Sequence, residues 1–458
     1  MHTLTSPLHG QLWRNINIIF PYPRLRKRSP ASYLDLLKRI LSWAGDGGFR
    51  KIDIALNYDS LTQADFTLLL NASPRLEHLE VSDPWHFSLP SKEKIWNRLR
   101  HVTINGCLNS SDPTVLDLPG QFPYGFLQNA ASSLEHLTFE GVPRQWYGSE
   151  PLIPHLTKLK SLHIGGWYPL AIALPRIEQL WIGPNIPNMD PGPVAPWRDK
   201  WEGVWPHLKV LIFDASMPAD IETVPFSGLR YLMCLHRGNS LLHLRFIYIH
   251  PGWENQYRDI FGNNYGRLPN SDVIRHTDFR NLRSVRSDRS MWILPDRART
   301  LLSKSIENGQ LTSFDITFPH HLPTREIPAG DSSVRHLEGY DWLRGAPSIH
   351  TLGCYAFRFR LNPRNDEDLP LPQFLATFPN LRTLRIRGQY DNDDEENEFS
   401  SLILAIISVT RLKTIHTTFF EPNSKALRKL RKAAHFKGVQ ISTADDDKPE
   451  QWPIPLGP

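Results

Sequence analysis

Histidine is the residue type in this sequence that most suggests chemistry, since nineteen histidines are present and neutral imidazole is the commonest metal ligand in proteins. A zinc site needs several Cys, His or acidic ligands at short spacings, and no such grouping is visible. His78, His101, His136 and His336 instead stand at one position of a recurring apolar pattern. The acidic run 391–398 lacks the glycine of a calcium loop, so we expect a solvated insertion there. The sequence therefore predicts no metal site.

The sequence also lacks the short motifs that mark common catalytic sites. GxxxxGKS/T, GxGxxG, GxSxG and HExxH are all missing, so a phosphate cradle, a serine nucleophile and a zinc hydrolase are not indicated. The cysteines, Cys107, Cys234 and Cys354, are too widely spaced for a disulfide framework. We expect them to be buried thiols. We predict no enzymatic activity, no catalytic residue and no cofactor.

The charge distribution bears on the kind of partner. The chain of 458 residues has a net charge of +5, but its basic residues occur in separate places, at 24–28, 275–289 and 425–432, and the acidic run opposes them. A nucleic-acid groove normally combines one basic stripe with stacking aromatic residues. We therefore do not expect a nucleic-acid partner.

The first residues bear on location. Residues 1–20 have no basic segment followed by an apolar one, as a secretory signal would. No apolar stretch approaches the roughly 18 residues that a membrane span requires. We expect an intracellular protein, in the cytoplasm or nucleus, with no membrane partner.

One pattern recurs along the chain: apolar-x-x-apolar-x-apolar, usually followed by a polar turn. This is the strand core of a leucine-rich repeat, and successive copies begin roughly 26 residues apart, inside the expected 20 to 29. The ladder of Asn or Cys that closes regular repeats of this type is missing. The clearest copies begin at Leu76, Leu134, Leu159, Ile177, Leu311 and Leu381, and weaker copies begin at Trp13, Phe49, Leu99, Leu208, Leu229, Leu244, Leu282, Val334, Ile349, Leu412 and Phe436.

Segments between these copies have the apolar spacing of helices. They are 31–44, 62–71, 296–307, 371–378, 399–409 and 424–435. Alternation of strands and helices predicts parallel strands. We therefore predict an α/β fold, an irregular leucine-rich-repeat solenoid with strands on its concave face and helices and loops on its convex face. It would span 12–441, between an N-terminal remnant (1–11) and a disordered tail (442–458). An ordinary layered α/β fold is the main alternative.

Side chains of a strand alternate between two faces, so the third, fifth and seventh positions of each copy should point to the concave surface. In the central copies these positions are large and apolar, as in protein-binding hot spots. Two alternatives are open from the sequence: a loop covers these residues, or a register slip of one residue reverses the faces. The predicted partner-binding residues are Trp181, Val210, Ile212, Tyr231, Met233, Phe246, Tyr248 and His250, rimmed by Arg286, Tyr340, Tyr355, Arg385 and Arg387.

Short motifs that precede several copies of the repeat resemble those of a known family. They are Ser73-Pro-Arg-Leu76, Trp205-Pro-His-Leu208 and Phe378-Pro-Asn-Leu381, together with the opening segment 12–18. These resemble the repeat region of fungal F-box proteins. The resemblance implies a substrate receptor of an F-box-type ubiquitin ligase, which selects a protein for ubiquitin transfer without performing the chemistry.

The F-box itself belongs before Leu12 in that family, and only eleven residues stand there. Either the chain begins downstream of its F-box or the protein has dispensed with it. The ligase adaptor is an expected partner if an F-box lies upstream. The other hypothesis is a ligase-independent scaffold for protein–protein interaction, built on the same repeats.

Overall fold

The structure is a computed structural model, and it divides into two compact units, Met1–Met189 and Asp190–Pro458. We call them unit 1 and unit 2 and describe each by itself. The described residues are 14–19, 31–55, 62–82, 87–90, 95–105, 123–140, 154–164, 174, 176–182, 205–214, 240–247, 258–259, 279–287, 291–292, 295–317, 337, 339–357, 371–388, 393–417, 424–443 and 451–456.

Unit 1 contains seven parallel strands whose order in the sheet is their order in the chain. Each strand pairs with the next residue for residue. The strands are β1 (Asn15–Ile19), β2 (Lys51–Ala55), β3 (His78–Ser82), β4 (His101–Asn105), β5 (His136–Glu140), β6 (Ser161–Ile164) and β7 (Gln179–Ile182), and the helices are α1 (Ala31–Ala44), α2 (Gln63–Asn71) and α3 (Tyr124–Ala130).

Unit 2 repeats the arrangement with eight parallel strands, again in chain order, and β10 and β12 form a separate short pair. The strands are β8 (Val210–Asp214), β9 (His243–Ile247), β10 (Arg258–Asp259), β11 (Ser284–Ser287), β12 (Met291–Trp292), β13 (Ser313–Thr317), β14 (Thr351–Phe357), β15 (Thr383–Gly388), β16 (Thr414–His416) and β17 (Gln440–Ser442). The helices are α4 (Pro295–Glu307), the 3₁₀ turn η1 (Asp341–Leu343), α5 (Leu371–Ala376), α6 (Asp393–Val409) and α7 (Lys425–Phe436).

The apolar pattern explains which side of each strand is buried. In β3, Leu79 and Val81 are buried, whereas His78, Glu80 and Ser82 are half-buried. Adjacent side chains point to opposite faces of a strand, so the leucine positions form the core and the intervening positions face away from it. The predicted α/β class and parallel pairing are confirmed, and the open, sequential order of the strands is compatible with a solenoid.

The helices follow the apolar spacing closely, with two differences. Helix α1 has the predicted bounds, but α6 begins at Asp393, six residues before the predicted start, and so includes most of the acidic run. Acidic side chains in a first turn are favoured by the helix dipole. The seven-residue helix α3 was not predicted because it is too short to show a period. None of the described helices is both long and apolar enough to cross a membrane.

Serines link successive repeats; Ser133 and Ser305 are buried, and Ser240 is half-buried. The Ser133 hydroxyl donates to the carbonyl of Leu99 at 2.9 Å, and the Ser240 hydroxyl donates to that of Leu208 at 2.8 Å. Ser305 donates in the same way to Leu282. In each case the acceptor is the first apolar residue of the preceding repeat. These hydroxyls satisfy carbonyls that would otherwise be buried without a partner, a function that the missing Asn or Cys ladder serves in regular repeats.

We predict that Ser133→Ala lowers the free energy of unfolding by about 1 to 3 kcal/mol, because a buried carbonyl loses its partner. Urea denaturation followed by circular dichroism measures this change. Ser132→Ala is the matched control, since Ser132 is exposed and adjacent in sequence. Equal losses in the two variants would contradict the linking role of Ser133.

Candidate functional site

The candidate site of unit 1 is the open face, the side of the sheet that faces away from the leucine core. One-to-one pairing aligns equivalent positions of neighbouring strands about 4.8 Å apart. The first row of the open face contains Asn15, Lys51, His78, His101, His136, Ser161 and Gln179, and the second row contains Asn17, Asp53, Glu80, Thr103, Thr138, His163 and Trp181.

Three histidines of the first row stack face to face. The ring centroids of His78 and His101 are 4.2 Å apart, and those of His101 and His136 are 4.3 Å apart. The stack ends in a 2.6 Å hydrogen bond between His136 Nδ1 and Ser161 Oγ. Stacking covers the ring faces and leaves the ring edges for hydrogen bonds.

Burial and mutual repulsion keep these rings neutral. Desolvation lowers the pKa of His101 to about 4, with further lowering by the neighbouring charges of His136 and His78. The pKa values of His78 and His136 are also lowered, chiefly by desolvation. A neutral imidazole both donates and accepts a hydrogen bond, so near neutral pH the stack can bind polar groups of either kind.

The second row changes character along the sheet. Asp53 and Glu80 are neighbours in register, and desolvation, followed by the charge of Asp53, raises the pKa of Glu80. At the other end, His163 stacks on Trp181 with 4.2 Å between ring centroids. Thr103 and Thr138 lie between these ends. The face thus presents carboxylates, hydroxyls and aromatic rings, which suit hydrogen bonding and packing more than covalent chemistry.

The open face of unit 2 holds a buried ion pair. Arg385 Nη2 lies 2.9 Å from Asp315 Oδ1, and it also donates to Ser313 Oγ at 3.1 Å. Asp315 and Arg385 lie on β13 and β15, with Gly353 of β14 between them in register. A Cβ at residue 353 would lie 2.1 Å from Asp315 Oδ1. The ion pair therefore crosses an intervening strand only because that strand has no side chain at this position.

Cys354 follows Gly353 and points to the core. It is a free, fully buried cysteine, as the sequence predicts. Desolvation, then the charge of Asp315, raises the pKa of its thiol, which keeps it protonated and unreactive. Cys107 and Cys234 lie outside the described residues. In the part of the chain that the structure describes, no group of three or more His, Cys, Asp or Glu residues could hold a metal ion.

The predicted central patch is described only in part. Trp181 is half-buried on the open face of unit 1. Val210 and Ile212 occupy open-face positions of β8 in unit 2, and both are fully buried, so a partner would reach them only if the covering atoms moved. Tyr231, Met233, Tyr248 and His250 lie outside the described residues. Binding at these positions stays a prediction.

The repeat that contains β9 begins at a different residue from the predicted one, Leu244, and this changes the position of Phe246. The strand begins at His243, so Leu241 takes the first repeat position in place of Leu244. Arg245 pairs in register with Ile212, an open-face position of β8, and Phe246 pairs with Phe213. The repeat therefore begins three residues earlier than predicted. Because three is an odd number, residue 246 takes a core-side position of the strand, and its predicted open-face position is wrong.

Of the five residues predicted to form the rim, three lie close together on the neighbouring strands β14 and β15 of unit 2: Tyr355, Arg385 and Arg387. Tyr355 and Arg387 are paired in register on β14 and β15, and Arg385 lies two residues before Arg387. Arg286 is half-buried on β11. Tyr340 lies in a turn before η1, buried, with its ring centroid 6.1 Å from that of the core residue Phe314.

Two features of the open face were missed from the sequence. The pattern places His78, His101 and His136 at one repeat position, but only the pairing of β3 with β4 and of β4 with β5 makes their rings stack. Gly353 gave a signal: it is a glycine at the fifth position of its copy, where a side chain is expected. Its meaning depends on Asp315 and Arg385, which are distant in sequence.

No protein-family model matches the sequence, and no curated protein matches it.

We predict that Gly353→Ala lowers the free energy of unfolding by about 3 kcal/mol or more, because the new methyl group displaces the Asp315 carboxylate from its buried cation. Urea denaturation measures the loss. Gly47→Ala is the control, since a Cβ there meets only the Arg75 side chain, at 3.4 Å or more. A stable variant with an intact ion pair would contradict the close approach.

We also predict acid sensitivity from His101. Its pKa is about 4 in the folded state, against 6.5 for an unperturbed histidine. As the pH falls below 6.5 the unfolded chain gains a proton that the folded chain does not, so stability falls with pH and stops falling near pH 4. His101→Gln should reduce this slope in urea denaturation between pH 7 and 4. His435→Gln, at the exposed end of α7, should leave it unchanged; equal slopes in all three proteins would contradict the role of the stack.

Proposed function

We propose that this chain is a protein-recognition module of the leucine-rich-repeat type and that the open face of β2–β5 binds its protein partner. The observation that carries this proposal is the alternation of burial along these strands: fully buried apolar residues on one side and half-buried polar ones on the other. A paired sheet holds those polar groups in fixed positions, which lowers the entropy cost of binding.

The resemblance to fungal F-box proteins supports a more specific proposal, a substrate receptor of an F-box-type ubiquitin ligase. Two of its Pro-x-Leu phrases occupy one structural place, where a helix ends and a strand is about to begin. Along the chain, Ser73 and Leu76 lie between α2 and β3, and Phe378 and Leu381 lie between α5 and β15. All four residues are buried. In this proposal the chain selects the substrate, and an adaptor bound through an upstream F-box connects it to the ligase.

Affinity purification of the protein tagged at its native locus, so that any segment encoded upstream is retained, tests this function in its own cells. We expect adaptor and cullin subunits to co-purify, together with substrate proteins. Substrate proteins without the adaptor would indicate the scaffold alternative and contradict the ligase proposal.

The same purification tests the binding face. Thr103→Arg with Thr138→Arg places two long cations on the second row, and we expect substrate proteins to be reduced at least about tenfold, because each large charged side chain blocks close approach. Ser401→Arg with Ser408→Arg is the matched control, since both serines are exposed on α6. Circular dichroism checks the fold of each variant. Unchanged substrate recovery in the folded face variant would contradict binding at this face.

A further inference from the structure

A row of residues lies immediately before the strands, at the second repeat position, and backbone hydrogen bonds run along it. In unit 1 the Glu77 amide donates to the Arg50 carbonyl at 2.8 Å, Arg100 to Glu77 at 2.9 Å, Glu135 to Arg100 at 2.9 Å and Lys160 to Glu135 at 2.8 Å. These five residues are therefore direct neighbours. We call this row the strand-entry row of unit 1.

The strand-entry row of unit 1 alternates in charge, and each of its charged side chains has a partner of opposite sign. Arg50 pairs with Glu77 at 3.7 Å, while Glu135 pairs with Arg100 at 3.8 Å and with Lys160 at 3.0 Å. Opposite charges on adjacent strands attract, so this row needs no external counter-charge.

The strand-entry row of unit 2 has the same backbone pattern but no acidic residue. Thr312 donates to the Arg283 carbonyl at 2.8 Å, His350 to Thr312 at 2.9 Å, Arg382 to His350 at 2.9 Å and Lys413 to Arg382 at 2.8 Å. Arg283, Arg382 and Lys413 are exposed. Arg382 and Lys413 are direct neighbours, and like charges in that relation repel each other.

Exposed cations extend this edge beyond the row. Arg280 lies three residues before Arg283, and Arg411 lies two residues before Lys413; both are exposed. Among the residues that the structure describes, none of these five cations forms an ion pair.

Three described acidic residues of unit 2 pair with cations outside this row. Glu307 pairs with Lys304 at 2.5 Å, Asp341 with Arg344 at 2.8 Å, and Asp315 with Arg385. The acidic start of α6 follows β15, whereas Arg382 precedes that strand. The six residues of β15, about 20 Å of extended chain, lie between Arg382 and the segment that leads to those acids.

We infer that the strand-entry row of unit 2 binds an acidic segment of a protein partner. From Arg283 to Lys413 the row crosses five strands, or four spacings of about 4.8 Å, roughly 19 Å in all. An extended peptide of about six residues has this length at about 3.3 Å per residue. Carboxylates along such a segment would meet the cations at both ends and relieve their repulsion. This inference rests on the proposed function in protein recognition, but it concerns a different surface from the open face of unit 1.

Protein is favoured over nucleic acid as the occupant because the row contains no Phe, Tyr or Trp residue. Single-stranded nucleic acids bind by stacking successive bases on aromatic side chains as well as by phosphate contacts. The row has one ring, that of His350, and its other members, Arg283, Thr312, Arg382 and Lys413, offer charge and hydrogen bonds.

Fluorescence anisotropy of a labelled hexaglutamate peptide with the full chain tests the inference. Arg382→Glu gives the row an alternating charge like that of unit 1, and we expect it to weaken peptide binding on the order of tenfold or more. Arg428→Glu, an exposed site on α7, makes the same change of net charge and should leave binding unchanged. Hexaglutamine should not bind, and affinity for hexaglutamate should fall with added salt.

Three results would overturn the inference: equal peptide affinities of the wild-type chain and Arg382→Glu, an equal loss in Arg428→Glu, or tighter binding of oligothymidine than of hexaglutamate at the same salt concentration. The variant Thr103→Arg with Thr138→Arg separates the two proposals. It should keep hexaglutamate binding, so failure of the unit 1 face and failure of this row give different results.

Discussion

Residue-for-residue pairing of parallel strands is the constraint on which the other features depend. Because each strand follows the previous one with no offset through β1–β7, equivalent repeat positions become neighbours about 4.8 Å apart. A residue type that recurs at one repeat position is therefore multiplied into a row. His78, His101 and His136 become a stack of rings, and Arg50 with Glu77 and Arg100 with Glu135 become ion pairs between adjacent strands.

Because the strands pair in register, a missing side chain on one strand affects the residues of the strands on both sides of it. Gly353 leaves a gap one side chain wide, and Asp315 and Arg385 meet across it from strands that are not adjacent. A buried ion pair is favourable only when its charges are fully partnered. The identity of residue 353 thus decides whether two charges elsewhere can be buried.

Serine hydroxyls satisfy carbonyls between successive repeats in this protein, in place of an Asn or Cys repeated at one fixed position. Ser133, Ser240 and Ser305 each bond a carbonyl of the preceding repeat; Ser133 and Ser240 stand three residues before their own strands, whereas Ser305 stands eight residues before β13. A hydroxyl is small and can reach a carbonyl from several backbone positions. This freedom accounts for the irregular repeat lengths and for the lack of an Asn or Cys ladder in the sequence.

The sequence by itself determined the parallel α/β class, most helices and the buried side of strands such as β3, because an apolar period of two or of 3.6 residues is a local property. It did not determine the register of β9, where leucines at 241 and 244 fit the pattern equally well and only the pairing of Arg245 with Ile212 decides between them. It also could not show that Val210 and Ile212 are covered or that Asp315 meets Arg385, since these contacts join segments far apart in the chain. Periodicity determines which way a side chain points; only tertiary structure decides what it meets there.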